Sequence, residues 1–418
     1  MSLQTLARVN LLIGLAVGMP LLGFLFSPRM RGSRLWRVTV TPLASIIGSG
    51  FLIVAPVMYR EFRMWALPLV VLLNGLAYAI GAALRDNIRH EGPALDPTSS
   101  HYDRLVARLE DLSDLALGLS YIVSVTFYAT LLSAFALSLA GISPMDRVGS
   151  VSATVLIRGG TTAILLFVGL WGLLRGLHAL EDLEKVAVNI KLAIIGMLLA
   201  ALGAFFVFSL RGLTPVHYAW ETTRLSWHAW AVLGGLLLIT QGFETVKYLD
   251  EYPVELRTRA MRYAQGLAAL IYILFVPLAG PISQHVRNVS ETAIIDVLQI
   301  VAWGMGYILS IAAIFSQFGA VIADTIGSGG LLARASRHRL RPEQAYMLIA
   351  ALGMALTWLF SVFEIIALAS RAFAVYYLLQ TLIAMRLHLR REAYGRVAGY
   401  GLVALLLVGI VLFAIPAH

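Results

Sequence analysis

The chain has 418 residues, of which 59% are hydrophobic and 13% are charged, and its mean hydropathy is +0.81. Soluble domains carry about twice that charged fraction, so the composition excludes a large soluble globular protein. The net charge of +9 does not indicate a nucleic-acid partner, because the basic residues are dispersed along the chain.

Runs of about 20 apolar residues recur from one end of the sequence to the other, the length that crosses about 30 Å of hydrocarbon. They predict an all-α, polytopic membrane protein with about twelve transmembrane helices. The first run is interpreted as a retained helix rather than a signal peptide, because no small-residue cleavage site follows it. The predicted spans are 7–27, 38–57, 64–84, 112–140, 160–178, 186–210, 228–247, 259–282, 293–323, 343–361, 364–385 and 396–415.

The loops between these spans alternate in charge. Positive residues favour the cytoplasmic side of a membrane, so the basic set of loops is predicted to be cytoplasmic and both chain ends to lie outside. This places the chain in the cell membrane as a multi-pass protein. Most of the 32 Lys and Arg residues fall in the loops 28–37, 85–110, 174–185, 247–262, 331–342 and 386–396.

The second span contains an unusual interruption, Gly48-Ser49-Gly50, within the stretch ASIIGSGFLIVAP, and prolines lie near both of its ends. Glycine and proline weaken a helix, and in lipid every freed backbone group needs a partner. Where a membrane helix unwinds, those groups can bind a solute carboxylate or a cation. The alternative is a small-residue face on which another helix packs.

A second interruption lies in GGLLLITQGFETVKYLDEYP, where Gly242 stands beside Gln241 and Glu244. Two interrupted helices five spans apart predict an internal repeat around a central site. Because a five-helix unit ends on the side opposite its start, the second copy would be inverted. The predicted organisation is a first repeat at 38–210, an inverted repeat at 226–385, an extra helix within 1–30 and a last helix within 396–418.

Four stretches carry a resemblance to a known family. IIGSGFL resembles the first-helix signature of the amino acid–polyamine–organocation (APC) superfamily, and TQGFETVKYLDEYP resembles its sixth-helix motif. HALEDLEKVAVNIKLAIIG and SQFGAVIADTIGSGGLLARASRHRLRP resemble its fourth-to-fifth connection and its eighth helix. The resemblance covers about 38–385 and implies a LeuT-type fold. ADTIG departs from the basic pattern that often ends helix eight, which points to a divergent branch.

The resemblance implies that a solute lies between the two interruptions, with Phe243 as an aromatic gate. The implied lining residues are Ile47, Gly48, Ser49, Gly50, Thr240, Gln241, Gly242 and Phe243. Aromatic and hydroxyl side chains on two other spans are further candidates, for which packing in the core is the alternative. These are Tyr121, Ser124, Tyr128, Tyr376 and Tyr377.

Charged residues within spans are expected to face a cavity or a partner. In some APC members a lysine near Lys191 takes the place of a sodium ion between helices one, five and eight. This implies proton coupling, with sodium as the alternative ion, unless Lys191 extends to the interface. Asp324, near the inner end of its span, is a candidate partner for Lys191 or a solvated acid. Glu244 binds freed amides or titrates during coupling.

Arg371 is predicted to act in gating through an ion pair with an acid on the outer side, where Glu364 lies; binding an anionic substrate is the alternative. No metal site or cofactor is predicted, and no GxxxxGK[ST] loop for ATP is present. The expected partners are a small solute and the lipid bilayer, without nucleic acid. The oligomeric state is left open.

The sequence therefore predicts a secondary active transporter that moves an amino acid or a related organic compound by alternating access. An intramembrane serine enzyme would need a base near Ser49, and no buried histidine is expected. A channel for an inorganic ion, or a receptor on the same fold, is the other alternative, although no ring of pore-lining charges is visible.

Overall fold

A computed structural model describes residues 3–48, 50–144, 146–214, 218, 222–284, 292–336 and 339–417, with only the backbone for 178–186. These residues form sixteen α-helices and one short antiparallel hairpin, β1 (Arg147–Val148) with β2 (Val151–Ser152). The helices are α1 (Leu3–Leu25), α2 (Pro28–Gly32), α3 (Arg34–Ile46), α4 (Gly50–Phe62), α5 (Ala66–His90), α6 (Gly92–Leu95), α7 (Arg104–Leu139), α8 (Ala153–Arg175), α9 (His178–Leu210), α10 (Trp227–Gly235), α11 (Val254–Ser283), α12 (Ala293–Val301), α13 (Met305–Ala335), α14 (Pro342–Leu359), α15 (Val362–Leu389) and α16 (Tyr394–Phe413). Tighter 3-10 turns cover Arg63–Trp65, Leu237–Thr240 and Phe243–Tyr248.

The helices pack in two groups. In the first, α11 packs against α3, α4 and α5, and the 3-10 turns that follow α10 join them. In the second, α7, α8, α13 and α14 pack against one another. Helices α9 and α15 contact members of both groups. Both helix interruptions belong to the first group, and the amide of Gln241 at the second interruption reaches Tyr128 in the second group.

The first and last helices lie outside these groups. α16 packs along α15, and α1 packs along α9. α1 is also fixed to the short helix α12 and the residues after it: the Asn10 side-chain amide donates to the Val301 carbonyl at 2.8 Å, and the Trp303 N–H donates to the Ala7 carbonyl at 3.3 Å. α12 in turn contacts α4, the second half of the first interrupted helix.

Nine helices in the described ranges are long and apolar enough to span a membrane, where twelve crossings are predicted. The two interrupted crossings contain no continuous helix of that length, and α14 begins with Pro-Glu-Gln, which lowers its hydropathy. The multi-pass, all-α architecture is as predicted. The count of twelve and the inverted repeat stay predictions.

The predicted span 293–323 is wrong. Two helices occupy it, because α12 ends at Val301 and α13 begins at Met305, after Gly304 with φ +74°. Uniform hydropathy across 293–323 conceals this left-handed turn, which glycine allows. Since α13 continues to Ala335, Asp324 lies within the helix rather than near its inner end.

Candidate functional site

The first interrupted helix stops where the sequence predicts. α3 ends at Ile46, Ile47 caps it, and α4 starts at Gly50, so Ile47 and Gly48 lie in the break and are buried. Ser49 lies outside the described residues. A side chain on Gly50 would meet the second interrupted helix, because an added Cβ would lie 2.7 Å from the Ile239 Cα.

The second interruption is longer. After α10 the chain forms a 3-10 turn that ends at Thr240, extends through Gln241 and turns at Gly242 with φ +117°. Phe243 then begins another 3-10 turn rather than an α-helix. A Cβ on Gly242 would lie 2.4 Å from the Ser45 Cβ, so the two breaks touch each other.

Two hydroxyl groups from neighbouring helices satisfy backbone groups freed by the breaks. The Tyr272 hydroxyl on α11 lies 2.8 Å from the Ile46 carbonyl and 2.7 Å from the Ile239 carbonyl, and its single proton serves one at a time. The Ser370 hydroxyl on α15 accepts the Leu238 N–H at 2.9 Å and donates to the Gly235 carbonyl at 2.8 Å. Sequence analysis missed both roles.

We expect Tyr272→Phe to destabilise the protein, because the buried carbonyls of Ile46 and Ile239 lose their shared donor. The cost of an unmet buried group is about 1–3 kcal/mol, measurable as a lower unfolding temperature in detergent. Tyr263→Phe, on the exposed side of the same helix, is the matched control and should be neutral. Equal effects from both substitutions would contradict the bridging role.

Glu244 is fully buried beside the second break. Its Oε2 accepts the Gly242 N–H at 2.8 Å and the Tyr377 hydroxyl at 2.8 Å. Its Oε1 has no hydrogen-bond partner among the described residues. The carboxyl group therefore both caps a freed amide and keeps one oxygen for another donor.

The region between the breaks and α7, here termed the central space, holds buried aromatic and polar groups. Phe243 stacks on Tyr377, with ring centroids 5.2 Å apart and planes inclined by 11°. The Gln241 side-chain amide donates to the Tyr128 hydroxyl at 3.0 Å, whereas the Gln241 Oε1 and the Ser124 Oγ have no hydrogen-bond partner in the described parts of the chain. The Thr240 hydroxyl already donates to the Leu237 carbonyl at 3.0 Å.

Lys191 on α9 lies against the first break. Its ammonium donates to the carbonyls of Ala44 at 3.2 Å and Ile47 at 3.4 Å. Two small cavities of about 10 and 20 Å³ adjoin it, and Ser316 of α13 lines both. The lysine head group thus occupies a position bounded by α3, α9 and α13, and pairing with Asp324 stays a prediction.

The expected acidic partner of Arg371 is not found among the described residues. The Arg371 guanidinium donates to the Ala414 carbonyl, near the end of α16, and contacts no carboxylate there. Glu364 instead caps its own helix: it accepts the Ser361 N–H at 2.7 Å, and the Ser361 hydroxyl accepts the Glu364 N–H at 3.3 Å. A capping box uses the carboxylate that the predicted ion pair needed.

A buried ion-pair cluster, Lys247 with Glu91 and Glu110, lies at the end of the protein that carries the basic loops. The ammonium lies 3.0 Å from the Glu91 Oε2 and 2.7 Å from the Glu110 Oε1. Gln380 of α15 joins the cluster, because its Oε1 accepts from Lys247 at 3.1 Å and its amide donates to Glu110 at 2.9 Å. The cluster therefore joins three helices and the second interrupted segment at that end of the protein.

Within the described residues no group of three or more His, Asp or Glu side chains is arranged to hold a metal ion. The expectation of no buried histidine is wrong, because His388 is 4% exposed and lies 2.7 Å from Asp86. His388 lies on α15 beside Asp86 of α5 and Tyr400 of α16, away from the two breaks.

Comparisons with known proteins agree with this architecture. A sequence profile of APC superfamily transporters matches residues 28–414. An uncharacterized protein of Aquifex aeolicus (strain VF5) is 40% identical over 394 residues, which is 93% of each chain. A solved structure of Mhp1, a nucleobase-cation-symport-1 family transporter in a closed conformation with bromovinylhydantoin bound, matches with a TM-score of 0.54 and 16% identity, over 84% of this chain and 77% of that one.

The fold, with two interrupted helices facing each other, is therefore the LeuT-type fold of membrane transporters. The chain belongs to the APC superfamily of transporters, as the matched residues 28–414 establish. The predicted family and fold class are confirmed.

Proposed function

We propose that the protein is a proton-coupled secondary active transporter of a small polar organic solute, an amino acid or a related compound. The observation that carries the proposal is the contact between the two helix breaks, with the Lys191 ammonium bound to carbonyls of the first. Coupling, substrate and sidedness are parts of this proposal.

The chemistry of the central space supports a solute with both polar groups and an apolar face. Ser124 Oγ, Gln241 Oε1 and Glu244 Oε1 are buried hydrogen-bonding atoms with unused capacity in the described structure. Buried polar groups are normally paired, so a solute that supplied donors there would gain several hydrogen bonds. The stacked rings of Phe243 and Tyr377 offer an apolar surface beside them. The hydantoin bound by the structurally similar transporter is a solute of this general kind.

The position of Lys191 supports proton coupling. Main-chain carbonyls at a helix break are oxygen ligands of the kind that coordinate a sodium ion in such transporters. An ammonium that binds the carbonyls of Ala44 and Ile47 occupies the oxygens, and supplies the positive charge, that a sodium ion would. A lysine can also release and regain a proton, which a bound metal cation cannot do, so loss and gain of the Lys191 proton can accompany transport.

In this proposal the first helix group moves against α7, α8, α13 and α14, exposing the central space to each side in turn. The Lys247 cluster closes the end with the basic loops, which we assign to the cytoplasm by the positive-inside rule. Both chain ends then lie outside.

Screening the purified protein by thermal shift against a solute library identifies the substrate. Uptake into proteoliposomes is then measured under a pH gradient and, separately, under a sodium gradient. We expect uptake with the pH gradient only.

We expect Lys191→Ala to abolish accumulation driven by the pH gradient and to retain solute counterflow, which needs no ion gradient. Arg60→Ala, an exposed cation at the far end of α4, is the control and should transport normally. Full pH-driven accumulation by Lys191→Ala would refute proton coupling through this residue. If none of the solutes that bind were transported in a saturable manner, the assignment of this site to transport would be refuted.

A further inference from the structure

A cavity of about 460 Å³ lies outside the central site, between α5, α11 and α16. It lies at the end of these helices that carries the basic loops. Four arginines and one aspartate line it, which is a formal surplus of three positive charges. These residues are Arg85, Arg89, Arg262, Arg396 and Asp86. No role in the proposed transport cycle uses this cavity.

Asp86 cannot neutralise the four arginines. Its Oδ2 already accepts from Tyr400 at 2.6 Å, from Arg396 at 2.9 Å and lies 2.7 Å from the His388 Nε2. Arg89 is 3.7 Å from its other oxygen. The Arg262 guanidinium contacts no carboxylate among the described residues, and it is exposed in the cavity.

One of the four guanidinium groups, that of Arg85, is buried. Arg85 is 5% exposed, with one nitrogen donating to the Gln265 Oε1 at 2.7 Å and the guanidinium 4.7 Å from the Tyr78 ring. A buried guanidinium without a carboxylate of its own is unfavourable unless an anion approaches it. The cavity is therefore arranged to receive negative charge.

The remaining wall of the cavity is apolar and opens to the surface. Ala79, Ala82, Gly399 and Val403 line it, and Tyr78 at its rim is 46% exposed. Arg262 also lines a neighbouring groove of about 420 Å³, whose other walls include Trp36, Leu267 and Leu270. A cationic pocket that shares Arg262 with an apolar groove, at the end of membrane helices, matches a molecule with a phosphate head and acyl chains.

We propose that this arginine pocket binds the phosphate headgroup of an anionic phospholipid from the adjoining leaflet. The arginine side chains bind the phosphate oxygens, for which guanidinium geometry is suited, and the acyl chains lie along the apolar walls. The lipid joins α5 and α11 of the first helix group to the peripheral α16.

The test uses the full-length protein in a neutral detergent. Phosphatidylglycerol, phosphatidylcholine and inorganic phosphate are titrated separately, and the thermal unfolding midpoint and the number of lipids bound in native mass spectrometry are recorded. We expect phosphatidylglycerol to bind and raise the midpoint, and the other two additions to have no effect. Equal stabilisation by phosphatidylcholine would overturn the charge-based assignment. Inorganic phosphate that matched phosphatidylglycerol would identify a free-anion site and overturn the lipid.

Variants locate the binding. Arg262→Gln and Arg89→Gln should each raise the half-saturating concentration of phosphatidylglycerol about fivefold, the effect of one arginine near an anionic lipid. Arg259→Gln, an exposed cation on α11 that does not line the cavity, is the matched control and should bind normally. If Arg259→Gln weakened binding as much as the other two, the lipid would be bound by general surface charge and the pocket would be refuted.

Discussion

Gly242→Ala should strongly destabilise this protein. The residue has φ +117°, a conformation that side chains rarely adopt, and the new Cβ would lie 2.4 Å from the Ser45 Cβ and 2.7 Å from the Ile46 backbone nitrogen. Backbone strain and a clash with the other break add together, so we expect a loss of about 4 kcal/mol or more. The measurement is thermal unfolding of the purified protein, with yield in membranes as a second readout.

The matched control is Gly266→Ala on α11. An added Cβ there meets no heavy atom within 4 Å, and the backbone is helical. Replacing a helical glycine by alanine gains up to about 1 kcal/mol, so this variant should be as stable as the wild type or more stable. A stable, correctly folded Gly242→Ala protein would mean that the two helix breaks do not touch as described.

The second large effect is expected at Lys247. Lys247→Met removes the ammonium between Glu91 and Glu110, and leaves two largely buried carboxylates near each other. Removing one partner of a buried ion pair costs about 3–5 kcal/mol. We expect a lower unfolding temperature at neutral pH and, in protein that folds, faster labelling of cysteines introduced at the basic end of the central space.

The pH dependence of this variant has a definite sign. Burial raises the pKa of the Glu91 carboxyl, and the Lys247 ammonium opposes that rise. Without the ammonium the folded protein binds a proton at higher pH than the unfolded chain does. Stability of Lys247→Met should therefore recover as pH falls through the raised pKa towards the ordinary value of about 4.3.

Arg334→Gln provides the control for Lys247→Met. Arg334 lies 3.6 Å from Asp114 near the same end, but half of its side chain is exposed. An exposed ion pair contributes about 1 kcal/mol or less, so this variant should show only a small, salt-dependent change. Comparable losses in the two variants would show that burial of the Lys247 cluster is not what makes it stabilising.

The positions of the two helix breaks could be predicted from the sequence, because glycines mark them. Gly50 and Gly242 stand out in apolar helices, and the breaks occur at both. The residues that repair those breaks were not predictable, because Tyr272 and Ser370 sit in ordinary membrane helices and acquire their roles only when distant segments pack together. The partners of Lys247 were missed for the same reason.

The errors have a common physical origin. Hydropathy reports burial in lipid but not backbone conformation, so the turn at Gly304 was hidden within an apolar run. The sequence also does not show which of several partners a charged side chain binds. Glu364 was expected on the same side of the membrane as Arg371, yet it caps the N-terminus of its own helix instead. His388 was not expected to be buried, but the fold covers it with Asp86 and Tyr400.

The attachment of α1 has a consequence for motion. Asn10 is fully buried, and its hydrogen bond to Val301 has no water to replace it if the two segments separate. α1, α9 and α12 are therefore fastened into one body, and α12 touches α4, the second half of the first interrupted helix. Any tilt of that half-helix must therefore move the N-terminal helix as well. Deleting the residues before 26 would remove a helix that is mechanically connected to the first interrupted helix.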